Sequence, residues 1–314
     1  MKIALSLFDG ISCGQLALQR AGISVDYYLA SEVETKAIEI TMGNFPDTIQ
    51  LGDVRELDGS AIVTPYILLG GSPCQCFSFA GNRKGMATTE GEEITTLDRY
   101  LELKKEGFEF EGQSYLFWEY VRILNETKPK YFLLENVRMT EKWEDVISET
   151  LGVRPIVINS ARVSAQNRKR LYWTNIPDIT QPEDRGLLLR DILDSGKVDR
   201  EKALCITKRY EGFSGSQSYL RRRYFGKSMG QAVFENCEPS EQREMWKADD
   251  RKEYDTIGII RSLTTRECEK LQTLPIGYVE DIIGDNMKAK GVIGNGWTVD
   301  VIAHILSHIP EEEK

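Results

Sequence analysis

The sequence predicts an α/β fold: a doubly wound, mostly parallel sheet joined to a second, smaller domain. Three observations carry that prediction. Short apolar runs alternate with amphipathic helical stretches from the N-terminus to about residue 177, the pattern of strands linked by crossover helices. A glycine-bearing turn follows the first apolar run, as in nucleotide-binding openings. Asp9, Glu32, Asp53, Cys74 and Glu135 each fall at the carboxyl end of an expected strand, and open α/β sheets bind their ligands there.

Residues 2–7, KIALSL, form the first expected strand. FDGISCGQLALQRAG then turns into a helix with Ala17, Leu18 and Ala21 on one face, ending at Gly22. YYLASEVE (27–34) is a second strand with Glu32 at its end, TKAIEITMGNF a helix, and TIQLGDV (48–54) a third strand ending at Asp53. YILLGGSPCQ (66–75) is a fourth strand, with the continuous apolar run of a buried parallel strand. SYLFWEYVRILNETK is a long helix and KYFLLENV (130–137) a fifth strand; VRPIVINSARV and KRLYWTNI are two more. From about 178 to 260 the alternation stops, and 13 Lys/Arg fall between Lys197 and Lys252. RSLTTRECEKLQTLP (261–275) is a helix capped by Thr264 or Thr265. GVIGNGWTVDVIAHILSHI (291–309) is a glycine turn leading into an apolar terminal helix. The expected domains are 1–177, a smaller one at 178–275, and a return to the first over 276–314, with the last helix beside the first strand.

With 314 residues, 41% of them apolar, 28% charged and 10 prolines, the chain can bury a large core and is not disordered. No run approaches the roughly 18–20 apolar residues of a membrane span. The start MKIALSLFDG meets Asp9 too early for a signal peptide. A cytoplasmic protein without a membrane partner is expected. Six scattered cysteines (Cys13, Cys74, Cys76, Cys205, Cys237, Cys268) read as reduced thiols and contain no Cys-x2-Cys pair. His304 and His308, the only histidines, stand one helical turn apart with no ligand cluster near them in sequence, so no metal is expected. A Ser-His-Asp hydrolase would have to draw its base from that terminal helix. The net charge of −9, from 40 Lys/Arg against 49 Asp/Glu, taken alone argues against a polyanionic ligand, but the charge is unevenly distributed.

In order along the chain stand FDGISCG (8–14), Glu32, GDV (52–54), GSPCQCFS (71–78), SYLFWEYVRIL (114–124), ENV (135–137), QNRKR (166–170), RSLTTRECEKLQTLP (261–275) and GNGW (294–297). FDGxxxG alone is common to many cofactor folds. Pro-Cys-Gln ending one strand, Glu-Asn-Val ending another and Gln-x-Arg-x-Arg beyond them are specific. With these motifs in this order over nearly its whole length, the chain resembles the DNA (cytosine-5) methyltransferases. GNGWTVDVI and SEVE are most similar to the phage-borne and animal de novo variants.

The resemblance implies a Rossmann-like, S-adenosylmethionine-dependent fold and a defined chemistry. Cytosine C5 is a poor nucleophile, and a thiolate adding at C6 turns it into an enamine carbon. Cys74 is the implied nucleophile, ionising below the free-thiol pKa of about 8.5. Glu135 is implied to stabilise charge at the ring N3, and Arg168 and Arg170 to hold the base's O2 and the catalytic groups. For the cofactor, the resemblance implies that Phe8 packs on the adenine while the turn from Asp9 through Gly10 to Gly14 wraps the methionine part. Glu32 takes the ribose hydroxyls, Asp53 accepts from the adenine amino group, and Leu116 closes the pocket. Val54 and Pro73 flank these groups. Val33 stands where many relatives carry a tryptophan, and Asn295 completes the site beside the first strand.

A base inside a duplex is out of reach of Cys74 and must be flipped out at a cost of about a few kcal/mol. The resemblance implies a loop closing over it, here SFAGNRKGM, with Ser78, Arg83 and Lys84 as DNA contacts. Gln166, Lys208, Arg209, Arg221, Arg222 and Arg223 are the other candidate contacts, most of them in the basic target-recognition region. An acidic stretch at 89–112, with eight carboxylates against three basic residues, separates the loop from the next helix. Its Ile94, Leu97 and Leu101 share one helical face, predicting an extra amphipathic helix with its carboxylates turned from DNA.

The ligands implied are S-adenosylmethionine, leaving as S-adenosylhomocysteine, and double-stranded DNA. A monomer suffices to flip one base, and a cognate restriction endonuclease is a candidate partner. Three other readings stay open. A tRNA cytosine methyltransferase shares the motif set, though the long basic lobe favours DNA. A non-catalytic DNA-binding protein has no need of intact Cys74, Glu135, Arg168 and Arg170. A dinucleotide-dependent oxidoreductase lacks its Gly-x-Gly-x-x-Gly.

Overall fold

A computed structural model describes residues 1–73, 77, 86–208, 216–226, 231–248 and 258–314. The chain divides into two compact units. The first comprises Met1–Ile158, Lys169–Gln181 and Ala303–Lys314; the second comprises Asn159–Arg168 and Pro182–Ile302.

The first unit is organised by one seven-stranded sheet of β1 (Ile3–Leu7), β2 (Tyr27–Ser31), β3 (Ile49–Gln50), β4 (Ile67–Gly70), β5 (Tyr131–Val137), β6 (Ile156–Asn159) and β7 (Lys169–Thr174), in the order β3-β2-β1-β4-β5-β7-β6. The pairs β1–β2, β1–β4, β2–β3 and β4–β5 are parallel, and β7 runs antiparallel to β5. This is the doubly wound, mostly parallel sheet that the sequence predicts. Every residue of β1 and of β4 is buried, as befits strands covered on both faces by crossover helices. Strand order reverses between β1 and β4, and ligands bind at such a crevice.

The first connection, α1 (Cys13–Arg20), ends two residues before Gly22, whose φ of +71° suits the left-handed exit from a helix. The second is α2 (Thr35–Asn44). The strands expected over 27–34, 48–54 and 66–75 stop early, at Ser31, Gln50 and Gly70. The described residues beyond them leave the ladder and form loops at the sheet's carboxyl edge. In the acidic stretch, α3 (Leu97–Glu106) begins at Thr96, whose hydroxyl accepts from Arg99 N–H, and ends at Gly107 with φ +79°. Its buried side chains are Tyr100 and Leu103, alongside Ile94, while Leu101 is exposed. The expectation that Leu101 faces inward is thus corrected. Tyr100 turns that face inward by reaching the carboxylate of Glu119. Two further helices, α4 (Phe117–Thr127) and α5 (Glu141–Leu151), flank β5 in sequence.

The second unit has its own small core. Leu220 and Tyr224, from α6 (Gln217–Arg221) and the turn after it, pack with Ala232, Phe234, Cys237 and Ile260. The antiparallel pair β8 (Val233–Glu235) and β9 (Ile259–Arg261) runs through this core, with α7 (Pro239–Ala248) between them in sequence. Next, α8 (Thr265–Leu271) is capped by Thr264, whose hydroxyl accepts from Glu267 N–H while the Glu267 carboxylate accepts from Thr264 N–H. Then come α9 (Glu280–Ile283) and α10 (Met287–Asn295). The glycine turn expected at 291–296 is therefore corrected: most of it is helix, capped at its start by Asn286. Gly294 serves close approach rather than a turn, since a Cβ there would stand 2.5 Å from the carbonyl carbon of Thr207. The terminal helix is α11 (Val299–Ser307). Among the described residues, no helix is long and apolar enough to cross a membrane, and Cys13, Cys205, Cys237 and Cys268 carry free thiols.

Candidate active site

Register brings the strand ends of the first unit into one row. Leu7 pairs with both Ser31 and Gly70, and Gly70 pairs with Leu134. Phe8, Glu32, Gly71 and Glu135 each follow one of these residues, so they stand level along the carboxyl edge.

The turn after β1 is tightly wound. Phe8, Gly10 and Ser12 have φ of 56°, 60° and 56°, a left-handed conformation that is an outlier for a residue as bulky as Phe8. Asp9 holds this turn from inside. Its carboxylate accepts from the Ser12 hydroxyl and, at 2.7 Å, from the Tyr28 hydroxyl, and its own N–H donates to Ser31 O at 3.2 Å. Burial pushes the Asp9 carboxyl up to about 6, against the hydrogen bonds that oppose the rise. Glu32 stands across from it. One of its oxygens accepts from Gly10 N–H at 2.8 Å, and the other from the N–H groups of Val33 and Glu34 at 2.7 and 2.8 Å. Val33 is exposed, and Gly14 is buried in α1.

Beyond β3, the Asp53 carboxylate accepts from Arg55 N–H and from both Nε and Nη2 of the same arginine. Those bonds hold it below the usual carboxylate range. Val54 is buried in the core cluster, against which Phe8 and Leu116 pack half-buried. Around this edge, a Cβ added at Gly10 or Gly52 would meet nothing within 4 Å. Open space rimmed by two carboxylates suits a ligand that offers hydroxyl and amino donors.

Beyond β4, the Asn136 amide donates to the carbonyl and hydroxyl of Ser72 at 3.2 and 3.1 Å, tying the end of β5 to the segment leading through Pro73 toward position 74. Cys74 itself lies outside the described residues, as do Ser78, Arg83, Lys84 and Arg209. Beside Asn136, Glu135 Oε1 receives Arg170 Nε at 2.9 Å, and both side chains are almost wholly buried. Ser12, Tyr28, Ser72, Asn136 and Arg55 are thus parts of this site that sequence reasoning missed. Ser12, Ser72 and Asn136 lie inside the quoted motifs, whereas Tyr28 carries no signal of its own.

The description "C-5 cytosine-specific DNA methylase" matches residues 3–311. The chain belongs to this family. The type II methyltransferase M.NgoBV of Neisseria gonorrhoeae is 30% identical over 241 residues, covering 68% of this chain and 51% of that protein. The orphan methyltransferase M.SPRI of Bacillus phage SPR is 30% identical over 209 residues, covering 62% of this chain and 42% of its own length. The chain spans about half the length of these curated relatives. A DNMT2 variant of Spodoptera frugiperda shares the fold, with a TM-score of 0.69 at 17% identity, over 98% of this chain and 99% of that one.

In this C-5 cytosine methylase chain, the second unit uses several expected site residues for its own architecture. The Arg168 guanidinium is buried and donates to the carbonyls of Ile206, Gly294 and Gly296 at 2.9, 3.2 and 2.9 Å. Gln166, expected at DNA, is fully buried. Its amide donates to Leu271 O and Gln272 Oε1 at 2.7 and 2.8 Å, and its carbonyl accepts from Ile206 N–H at 3.3 Å. Arg221, also expected at DNA, is only 1% exposed and donates to Gln242 and to Gly258 O. Both side chains, expected at DNA, are instead buried within the second unit. Arg223 donates to the Tyr219 hydroxyl at 2.9 Å. Lys208, Arg222 and Asn295, the last residue of α10, are exposed.

Proposed function

We propose that this protein transfers a methyl group from S-adenosylmethionine to C5 of a cytosine flipped out of double-stranded DNA, through a covalent adduct between Cys74 and C6. The observation that carries the reading is the Glu135–Arg170 pair, next to the Asn136–Ser72 tie that holds the approach to position 74.

The residues present fit the cofactor. The Glu32 carboxylate, pinned by Gly10 N–H, suits a ribose diol. Asp53 suits an amino donor, and Phe8 and Leu116 supply apolar walls. When bound, S-adenosylmethionine supplies an electrophilic methyl group. The protein's own residues do the rest. The Cys74 thiolate bonds to C6, and the electron pair of the 5,6 double bond moves into the ring toward N3. Glu135, steered by Arg170 and carrying a proton, donates that proton toward N3 and so neutralises the negative charge developing there. The enamine then makes C5 nucleophilic. After methylation, water takes the C5 proton, the freed electron pair restores the 5,6 double bond, and the C6–S bond breaks to release Cys74 as thiolate. Arg168 serves as a positioning residue.

The segment 178–275 is read as target-recognition domain, with Lys208, Arg209, Arg222 and Arg223 as its candidate DNA contacts. The family description supports DNA as the substrate, and the type II designation of the Neisseria relative supports a restriction enzyme as partner. Purified protein should transfer labelled methyl to duplex DNA and not to tRNA, and Cys74→Ala should abolish transfer. DNA carrying 5-fluorocytosine, which has no removable C5 proton, should trap a covalent complex. Absence of both label and adduct on DNA of diverse sequence overturns the proposal.

A further inference from the structure

The acidic insert at 89–112 lies outside every motif quoted above, yet its side chains reach the Asp53 segment. Glu119 on α4 is fully buried and accepts from the Tyr100 hydroxyl, from Lys104 Nζ at 2.7 Å and from Arg122 Nε at 2.7 Å. Both cations place further donors on main-chain carbonyls of one short segment: Arg122 on Val54 O and Leu57 O at 3.0 and 2.8 Å, Lys104 on Arg55 O at 3.3 Å. One turn along α4, Glu126 pairs with Arg122 and accepts from Gly59 N–H at 2.9 Å. From the insert also comes Phe110, stacked on Tyr115 at 4.5 Å and 24° and packed on Tyr100 at 5.2 Å. The Arg55 guanidinium is held charged first by Asp53, and more weakly by the Tyr115 hydroxyl.

We infer that the insert is a brace for the cofactor site, in which Lys104, Tyr100 and Phe110 position the 53–57 segment and the Asp53 carboxylate at its head. The inference rests on the cofactor reading above. Its physical basis is charge and geometry together. Glu119 and Glu126 are balanced by Arg122 and Lys104. Without Lys104, a buried carboxylate is left under-neutralised and the Arg55 carbonyl loses its donor. The helix α4 reaches the segment unaided through Arg122 and Glu126; the insert adds the second cation and the aromatic wall.

Lys104 is a positioning residue, so its loss should act on cofactor binding rather than on chemistry. In the full-length protein, Lys104→Met should weaken S-adenosylhomocysteine binding about tenfold, the scale of one charge-assisted hydrogen bond. The KM for S-adenosylmethionine should rise in step while kcat stays unchanged. Tyr100→Phe should shift both in the same direction, and Lys104→Arg should restore them. Lys105→Met, one residue along, should leave binding as in wild type. A readout independent of the cofactor is hydrogen exchange at the amides of Glu56 and Leu57, bonded to Asp53 O and Val54 O, which should speed up in ligand-free Lys104→Met.

Folded Lys104→Met and Tyr100→Phe proteins with wild-type affinity and wild-type exchange would overturn the brace. Wild-type protein that binds no S-adenosylhomocysteine would instead overturn the cofactor reading. The exchange measurement then still decides whether the insert holds the segment.

Discussion

Arg170 Nε lies 2.9 Å from Glu135 Oε1 across the antiparallel pairing of β5 with β7, in which Val137 faces Arg170 and Glu135 faces Tyr172. The two residues are diagonal neighbours on one face of the ladder. The antiparallel run of β7 thus delivers a cation to a carboxylate at the ligand edge of a mostly parallel sheet.

Glu135→Gln keeps the shape and an acceptor for Arg170 but loses the charge. It should leave the fold intact and lower single-turnover methyl transfer by about 10²–10⁴-fold. Arg170→Met strands a mostly buried carboxylate and should cost about 3 kcal/mol in urea unfolding. A Glu135→Gln protein with wild-type transfer would remove Glu135 from the chemistry.

Asp9 should leave a pH signature in stability. Its carboxyl rises from 3.8 to about 6 on folding, chiefly through burial, so the folded state binds the extra proton between those values. The contribution is fully present below the unfolded value and is lost as pH rises through about 6, amounting to at most about 3 kcal/mol. Asp9→Asn should remove that slope and gain on wild type above it. Urea midpoints from pH 4.5 to 7.5 measure this, and parallel curves for the two proteins would contradict it.

Gln166→Leu should act as a core lesion. It leaves Ile206 N–H without its side-chain acceptor and removes one of the two side-chain donors to Leu271 O, which keeps the Ser164 hydroxyl, at a cost of about 1–3 kcal/mol. Any loss of DNA binding should then track the folded fraction. Arg222→Ala, on the surface, should change stability by less than about 0.5 kcal/mol. As a phosphate contact it should lower the salt slope of DNA affinity by about one. An unchanged slope would exclude Arg222 from the interface.

Gly294→Ala should destabilise the second unit by about 1–3 kcal/mol, because its methyl group would run into the Thr207 backbone, which cannot swing aside as a side chain can. Thermal unfolding measures the loss, and a wild-type melting temperature would show that the helix can shift.

Much of the architecture was readable in order along the chain. KIALSL and YILLGG are apolar because strands buried on both faces have no room for polar side chains, and Gly22 and Thr264 announce helix ends by local stereochemistry. Side-chain commitments were less readable. Gln166, Arg168 and Arg221 look like surface polar residues in a motif or basic run. Their burial depends on carbonyls and amides that remote segments supply, such as Gly294 O and Gly258 O. Leu101 and Tyr100 fit an amphipathic pattern about equally well until Glu119 provides the acceptor that turns Tyr100 inward.

Hydrophobic period and turn chemistry, which act over a few residues, therefore suffice to determine the strands, their alternation with helices and the acidic residues at the strand ends. Which of those polar groups is free for a ligand, and which is spent on the fold, was decided only in three dimensions. A hydrogen bond or ion pair needs its partner within about 3 Å, and here that partner comes from a part of the chain that only the folded ladder brings near.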